Sequence, residues 1–82
     1  MRIVELQAQP NWVLSIMADD GRVGRLDVSL YLQYEALRDE TEFKKVVNGG
    51  YFVEWDCGAD LSADTIEARW QVVGKVVRQT TA

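Results

Sequence analysis

Residues 12–28 read WVLSIMADDGRVGRLDV, and this stretch predicts a β-hairpin. In its first half, side chains alternate between two faces with a period of two, which predicts a strand from Trp12 to Ala18. Asp19-Asp20-Gly21 follows, and these residue types tolerate the positive φ of a tight hairpin turn. We therefore expect a second strand, Arg22 to Val28, to return antiparallel to the first.

Further strands are predicted on both sides of this hairpin. Arg2 to Gln7 alternates apolar and polar residues as a half-buried strand does, and Pro10-Asn11 marks a turn after it. Beyond Val28 the alternation stops, and Ser29 to Lys45 predicts short helical turns. A second hairpin is expected from Lys44 to Val47 and Tyr51 to Trp55, around Asn48-Gly49-Gly50.

The C-terminal part predicts one helix. Gly58 permits a sharp exit from the preceding strand, and Ser62 is a suitable N-cap for a helix that continues to Val73. Gly74 is expected to close the helix at the C′ position. The tail from Lys75 to Thr81 predicts either an edge strand or a frayed end.

Together these elements predict a single α+β domain over residues 1–82. Its two hairpin systems merge in one antiparallel sheet of about five strands. The C-terminal helix covers one face of this sheet through Ile66, Trp70 and Val73. We expect the Leu30 to Phe43 segment or another chain to cover the other face, which carries some of Val13, Met17, Val23 and Phe52.

Composition excludes several classes of function. The chain has 82 residues, of which 48% are hydrophobic, one is cysteine and none is histidine. Without histidine, nucleophile pairs that contain imidazole and ordinary zinc sites are excluded, and Cys57 has no imidazole to activate it. The apolar runs are too short for a membrane span or a signal peptide, so we expect a cytoplasmic protein without membrane contact.

The acidic residues are concentrated in one part of the chain. The net charge is −4, which argues against a protein whose main task is to neutralise nucleic-acid phosphates. Residues 35–67 hold nine acids and three bases, a net charge of −6. Residues 68–82 carry a net charge of +3, so a DNA-associated regulatory role stays a third hypothesis.

Residues 56–67 place oxygen ligands at relative positions 1, 5, 9 and 12, as in an EF-hand calcium loop. The match fails at Gly58 and at Leu61, where the loop needs a ligand and a glycine. A turn followed by an N-capped helix explains the same residues. Binding of a divalent metal or small ligand by segment 54–67 is therefore the alternative hypothesis, and it uses Glu54, Asp56, Asp60 and Asp64.

We predict no catalytic residues and no cofactor, and therefore a protein that is not an enzyme. Glu54 and Asp56 share one face of a strand and resemble an acid/base pair. An 82-residue chain, however, hardly encloses the pocket that such chemistry needs.

From about Leu14 to Ile66 the order of features resembles the bacterial family known as domain of unknown function 2442. Its most specific part is the pattern W-x-x-G-x-D-L-x-x-D, here Trp55 to Asp64. This chain departs from the family's usual pattern with Ile66, where leucine is more frequent. The residues that carry the resemblance, and that are candidates for interaction, are Asp27, Trp55, Gly58, Asp60, Leu61 and Asp64.

The resemblance implies a small α+β accessory domain with no established catalytic residues. Some relatives are fused to a helix-turn-helix segment or are encoded beside another small domain, in an arrangement similar to a toxin and antitoxin pair. Our leading hypothesis is therefore a non-catalytic protein-protein interaction module that dimerises or binds a basic partner through the acidic stretch from Glu35 to Glu67.

Overall fold

The computed structural model describes residues 1–31 and 35–76. It has an α+β fold with two antiparallel sheets. Sheet A has the strand order β1-β2-β3-β7 and consists of β1 (Ile3–Gln9), β2 (Val13–Ala18), β3 (Arg22–Asp27) and β7 (Gln71–Lys75). Sheet B has the order β4-β5-β6 and consists of β4 (Val47–Asn48), β5 (Phe52–Glu54) and β6 (Asp60–Ser62).

Helical elements lie between the strands. Two 3-10 turns, Val28–Tyr31 and Glu35–Arg38, precede the one-turn helix α1 (Glu40–Phe43). The longer helix α2 (Ala63–Arg69) follows β6 directly. In the described part of the chain, no helix is long and apolar enough to cross a membrane. The predicted short helical turns after Val28 are confirmed in residues 28–31 and 35–43.

The β2–β3 hairpin is confirmed, with its turn where the sequence predicts it. Gly21 has a φ of +91°, and its N–H donates to the carbonyl of Ala18 at 3.0 Å. Leu14 lies opposite Leu26, and Leu14 and Ile16 are buried. Alternation in β2 therefore directs one set of its side chains into the core, as the period of two requires.

Trp12 belongs to the turn before β2 and is not the first residue of the strand. Asn11 and Trp12 both have positive φ, +65° and +59°, a conformation that costs free energy for a bulky residue. Two hydrogen bonds hold Trp12 in place: its indole Nε1 donates to the carbonyl of Leu37 at 2.6 Å, and its own carbonyl accepts from Val28 at 2.8 Å. Tertiary contacts therefore override the local alternation at this position.

The prediction of one merged sheet is wrong, because the two hairpin systems form separate sheets. Their junction is a pair of isolated hydrogen bonds at Ile3. Its N–H donates to the carbonyl of Gly50 at 2.6 Å, and its carbonyl accepts from the Asn48 side-chain amide at 3.0 Å. Because β4 has only two residues, no continuous ladder forms between β4 and β1.

The predicted helix ends four residues early, at Arg69. Trp70 is already extended, with φ −76° and ψ 161°, and the next residues form β7 against β3. Val72 and Val73 are β-branched, and such residues favour a strand over a helix. Gly74 therefore lies within β7 and does not close the helix. The tail that was predicted from Lys75 forms a strand only as far as Lys75, and residues 77–81 lie outside the described residues.

Trp70 fixes the chain reversal between α2 and β7. A Cβ built on Gly24 would lie 2.4 Å from the Trp70 ring, so only glycine leaves room for the indole on β3. Arg22 lies over the same ring, 5.6 Å from its centroid, and forms ion pairs with Asp20 and Glu67. These contacts connect the first hairpin, α2 and β7.

Both sheets contribute to one core. Leu37, Phe43 and Ile66 pack into it from the helical elements. On the opposite face of sheet A, Glu5, Gln7 and Arg25 are exposed, whereas Val13, Met17 and Val23 are half-buried. Phe52, which was also expected there, belongs to sheet B. The covering of that face by the Leu30 to Phe43 segment or by another chain stays a prediction. The buried strand residues of the core are Ile3, Leu14, Ile16, Leu26 and Val53.

Candidate functional site

Trp55 is a core residue. It is 4% exposed, its ring stacks on Phe43 with centroids 5.8 Å apart, and its Nε1 donates to the Phe43 carbonyl at 2.8 Å. The hydrogen bond satisfies the buried indole N–H, which would otherwise lower stability. Trp55 therefore attaches sheet B to α1, and its role is structural.

Gly58 shapes the turn between β5 and β6. It has a φ of +94°, a conformation that glycine adopts without a steric penalty. Its N–H donates to the carbonyl of Trp55 at 3.0 Å, and the N–H of Trp55 donates to the carbonyl of Ala59 at 2.9 Å. The W-x-x-G part of the pattern is thus a closed turn that leads from the core into β6.

Leu61 and Asp64 also have structural roles. Leu61 is half-buried and packs against the core. Ser62 is the N-cap of α2, as predicted, with its hydroxyl accepting from the Thr65 N–H at 3.1 Å. Asp64 is exposed in the first turn of α2, where its charge complements the helix dipole.

Asp27 ends β3. Its Oδ1 accepts from the backbone N–H of Ser29 at 2.9 Å and also from the Ser29 hydroxyl. This local hydrogen bonding turns the chain from the strand into the Val28–Tyr31 turn. The hydrogen bonds of the Asp27 side chain are thus local to the end of β3.

Asp60 differs from the other five candidates because the fold gives it no structural task. It is exposed in β6, directly opposite Glu54 in β5. Among the described residues, neither carboxylate forms a side-chain hydrogen bond or an ion pair. Directly opposite residues have Cβ atoms about 5 Å apart, and two like charges in this arrangement destabilise a sheet.

Apolar side chains lie beside this pair of carboxylates. Val47 is opposite Glu54, and Phe52 is two residues before it, so both share its face. Phe52 is 40% exposed, and its ring covers Gly49, where a Cβ would lie 2.4 Å from the ring. We call the exposed side of sheet B, formed by Val47, Phe52, Glu54 and Asp60, the sheet B face.

Lys45, two residues before Val47, already has an acidic partner. Its Nζ lies 2.9 Å from Glu42 Oε1, and this hydrogen bond raises the pKa of Lys45. Lys45 is therefore paired within its own segment. The charge of Glu54 and Asp60 is left for solvent or for another molecule.

The metal hypothesis gains no geometric support. In residues 1–31 and 35–76, no three or more acidic or cysteine side chains lie close enough together to hold a metal ion. Glu54 and Asp60 face each other, but Asp56 lies in the turn and Asp64 at the start of α2. Cys57 is exposed in the same turn.

The opposition of Glu54 and Asp60 is the feature that sequence reasoning missed. It depends on β6, a strand that the sequence analysis does not predict after Gly58. The available signal was the alternation of Asp60, Leu61 and Ser62, in which the middle residue faces the core. Three residues are too few for a period of two to be distinguished from a loop.

No curated protein and no solved structure matches the chain significantly. One family model, described as Protein of unknown function (DUF2442), matches residues 3–71. This span runs from the first residue of β1 to the first residue of β7 and includes both sheets and α2. The resemblance that the Trp55 to Asp64 pattern predicts is thereby confirmed, and the chain belongs to this family of proteins of unknown function.

Proposed function

We propose that this chain is a non-catalytic protein-protein interaction module whose partner presents a basic surface to the sheet B face. The observation that carries the proposal is the opposition of Glu54 and Asp60 across β5 and β6 without a described cationic partner. An arrangement that lowers the stability of the isolated chain is expected where a bound partner supplies the missing charge.

The surroundings of the carboxylates support a macromolecular partner. On the sheet B face, Val47 is 49% exposed and the ring of Phe52 is 40% exposed. Aromatic side chains are enriched at protein interfaces, where they bury large areas with little loss of conformational entropy. An apolar patch next to two carboxylates fits a partner that carries lysine or arginine beside its own apolar side chains.

An antitoxin-like role is a narrower form of this proposal, suggested by the family resemblance. In that form the basic partner is a toxin, and the sheet B face covers the toxin's own cationic surface. The test is co-expression with the product of the neighbouring gene, followed by co-purification and a growth assay. A co-purified pair without any effect on growth would support the interaction module and remove the antitoxin role.

A charge reversal tests the interaction directly. With the chain as bait in its native cell, Glu54→Lys is expected to abolish capture of the partner, because a cation replaces the carboxylate that the partner contacts. Glu5→Lys is the matched control: Glu5 is also exposed on a strand, but on the face of sheet A that points away from the core. Equal capture by both variants would place the interface elsewhere and refute the proposed surface.

A second test uses salt. Contacts between exposed charges are screened with a Debye length of about 8 Å at physiological ionic strength. The association rate with the captured partner is therefore expected to fall as salt rises, whereas the dissociation rate changes little. An association rate independent of salt would contradict a basic partner.

A further inference from the structure

Of the two asparagines in the chain, Asn48 is the one that a glycine follows. Asparagine is among the chemically labile residues of proteins. It deamidates when the backbone nitrogen of the next residue attacks the side-chain amide carbon. A glycine at that position has no side chain to obstruct the attack, and its backbone has the most freedom to reach the amide. Asn48 and Gly49 are both exposed, so water has access to this dipeptide.

The side chain of Asn48 is also a joint between the two sheets. Its Nδ2 donates to the carbonyl of Ile3 in β1 at 3.0 Å, and its Oδ1 accepts from the N–H of Gly50 at 2.8 Å. The N–H of Ile3 donates to the carbonyl of Gly50 at 2.6 Å and completes the junction. The nitrogen atom that deamidation removes is therefore the one that donates across the junction.

The hairpin formed by β4 and β5 restrains this reaction while it is closed. The N–H of Gly49 must lose its proton before the nitrogen can attack, and it donates to the carbonyl of Phe52 at 2.8 Å. The Phe52 ring also covers Gly49. Release of the Gly49 N–H therefore requires that the hairpin opens. Because β4 has only two residues, this opening is local and costs less free energy than global unfolding.

From this arrangement we infer that Asn48 is a site of spontaneous deamidation, that opening of the β4 and β5 hairpin controls its rate, and that the product loosens sheet B from sheet A. The reaction needs water alone. The Gly49 nitrogen bonds to Asn48 Cγ, the bond from Cγ to Nδ2 breaks, and Nδ2 leaves as ammonia with the proton that Gly49 has lost. Water then opens the cyclic imide at either carbonyl, which gives aspartate or isoaspartate.

Both products carry a carboxylate where the amide was. A carboxylate cannot donate to the Ile3 carbonyl, and its negative charge repels that oxygen. Loss of one such hydrogen bond corresponds to a factor of about ten in the equilibrium between closed and open forms. Isoaspartate also lengthens the main chain within β4, next to the pairing of Val47 with Glu54.

The first test follows the modification in the full chain. The folded chain and the chain unfolded in guanidinium are incubated in slightly alkaline buffer, and peptide mapping with an isoaspartate assay measures conversion at each asparagine. Asn48 should convert at least about tenfold more slowly in the folded than in the unfolded chain. Asn11, which is exposed but precedes Trp12, is the internal control and should convert more slowly than Asn48 in both.

Three outcomes of this test would overturn the inference. They are no conversion of Asn48 in the folded chain, conversion no faster than that of Asn11, and equal rates for Asn48 in the folded and unfolded chains. Phe52→Ala uncovers Gly49 and should accelerate conversion in the folded chain at least about threefold. Tyr51→Ala removes the neighbouring exposed ring and is the matched control. Equal rates in the two variants would contradict control by the hairpin.

The second test measures the effect of the product. In Asn48→Asp, hydrogen exchange by NMR should show about tenfold less protection of the Ile3 N–H, whereas Ile16 in the central strand β2 keeps its protection. Asn11→Asp makes the same chemical change away from the junction and should leave Ile3 unchanged. Unchanged protection of Ile3 in Asn48→Asp, or an equal loss at Ile16, would refute the joint. Neither test involves the partner of the sheet B face, so both are independent of the proposed function.

Discussion

Sheet A has strands of five to seven residues, whereas the strands of sheet B have only two or three. Sheet A is held by long ladders between neighbouring strands. Sheet B has few ladder bonds. Side-chain hydrogen bonds attach it to the rest of the fold, above all those from Trp55 to the Phe43 carbonyl and from Asn48 to the Ile3 carbonyl. The longer sheet thus provides the scaffold, and the shorter one presents two unpaired carboxylates beside exposed apolar side chains.

This difference indicates how a small domain can combine stability with a binding surface. A single core of this size provides only a modest margin of stability. The like-charge pair Glu54 and Asp60 reduces that margin, and it lies in the sheet with the fewest ladder bonds. Such a pair is tolerated because the buried residues Val53 and Trp55 secure the other side of the same strand segment.

The largest expected effect comes from breaking the attachment of sheet B. Trp55→Ala removes a buried ring and its hydrogen bond to Phe43, so the free energy of unfolding should fall by about 3–5 kcal/mol. Urea denaturation measures the change. The control is Tyr51→Ala, which is exposed and should shift stability by no more than about 0.5 kcal/mol. Similar losses for both variants would contradict the distinction between the buried and exposed aromatic residues.

A smaller loss of stability is expected when the contact between Gly24 of β3 and the Trp70 ring is made too tight. Gly24→Ala introduces a methyl group that would lie 2.4 Å from the Trp70 ring, so β7 must move and stability should fall by about 1–3 kcal/mol. Gly74→Ala is the matched control in the adjacent strand, where the methyl group meets open space. Thermal melts at low protein concentration compare the two. Equal melting temperatures would show that Trp70 does not pack on Gly24.

A gain in stability is expected on the sheet B face. Glu54→Lys turns a like-charge pair into an opposite-charge pair with Asp60, which should raise the free energy of unfolding by about 0.2–1 kcal/mol. Glu5→Lys, opposite Met17 on sheet A, should have a smaller effect. Denaturation in low salt measures both. A less stable Glu54→Lys variant would show that the two carboxylates do not repel each other appreciably.

The smallest effect concerns the turn of the β2–β3 hairpin at low pH. The backbone N–H of Arg22 donates to Asp20 at 3.0 Å, and this bond, with the Arg22 side chain, lowers the pKa of Asp20 below that of an ordinary aspartate. A pKa lowered in the folded state means that Asp20 contributes its stability at a pH above an ordinary aspartate's pKa of about 3.9 and loses it as the pH falls further. The stability of Asp20→Asn should therefore depend less steeply on pH in that range. Identical pH profiles would refute the effect.

The fold was predictable wherever local chemistry alone decides it. The Asp19-Asp20-Gly21 turn, the strands beside it and the N-cap at Ser62 follow from turn preferences, alternation and capping, and all are confirmed. The end of α2 was not predictable in this way. Val73 suits a helical face and a strand alike, and only the open edge of β3 decides between them.

The candidate site was predictable in its residues but not in its arrangement. The pattern from Trp55 to Asp64 includes Asp60, yet it does not distinguish Asp60 from Asp64, since both are exposed acids close to the start of a helix. The distinction requires the register of β5 and β6, which places Glu54 beside Asp60. A single sequence carries little information about such pairings between short strands.

The three tryptophans lie at three different junctions of the molecule. The indole of Trp12 contacts the Glu35–Arg38 turn, that of Trp55 contacts the end of α1, and that of Trp70 covers β3 where β7 joins it. Variants that keep one tryptophan and replace the other two by phenylalanine therefore contain a single fluorophore at a known junction. Stopped-flow fluorescence of the three variants would resolve the order in which the helical turns, sheet B and β7 assemble on the first hairpin.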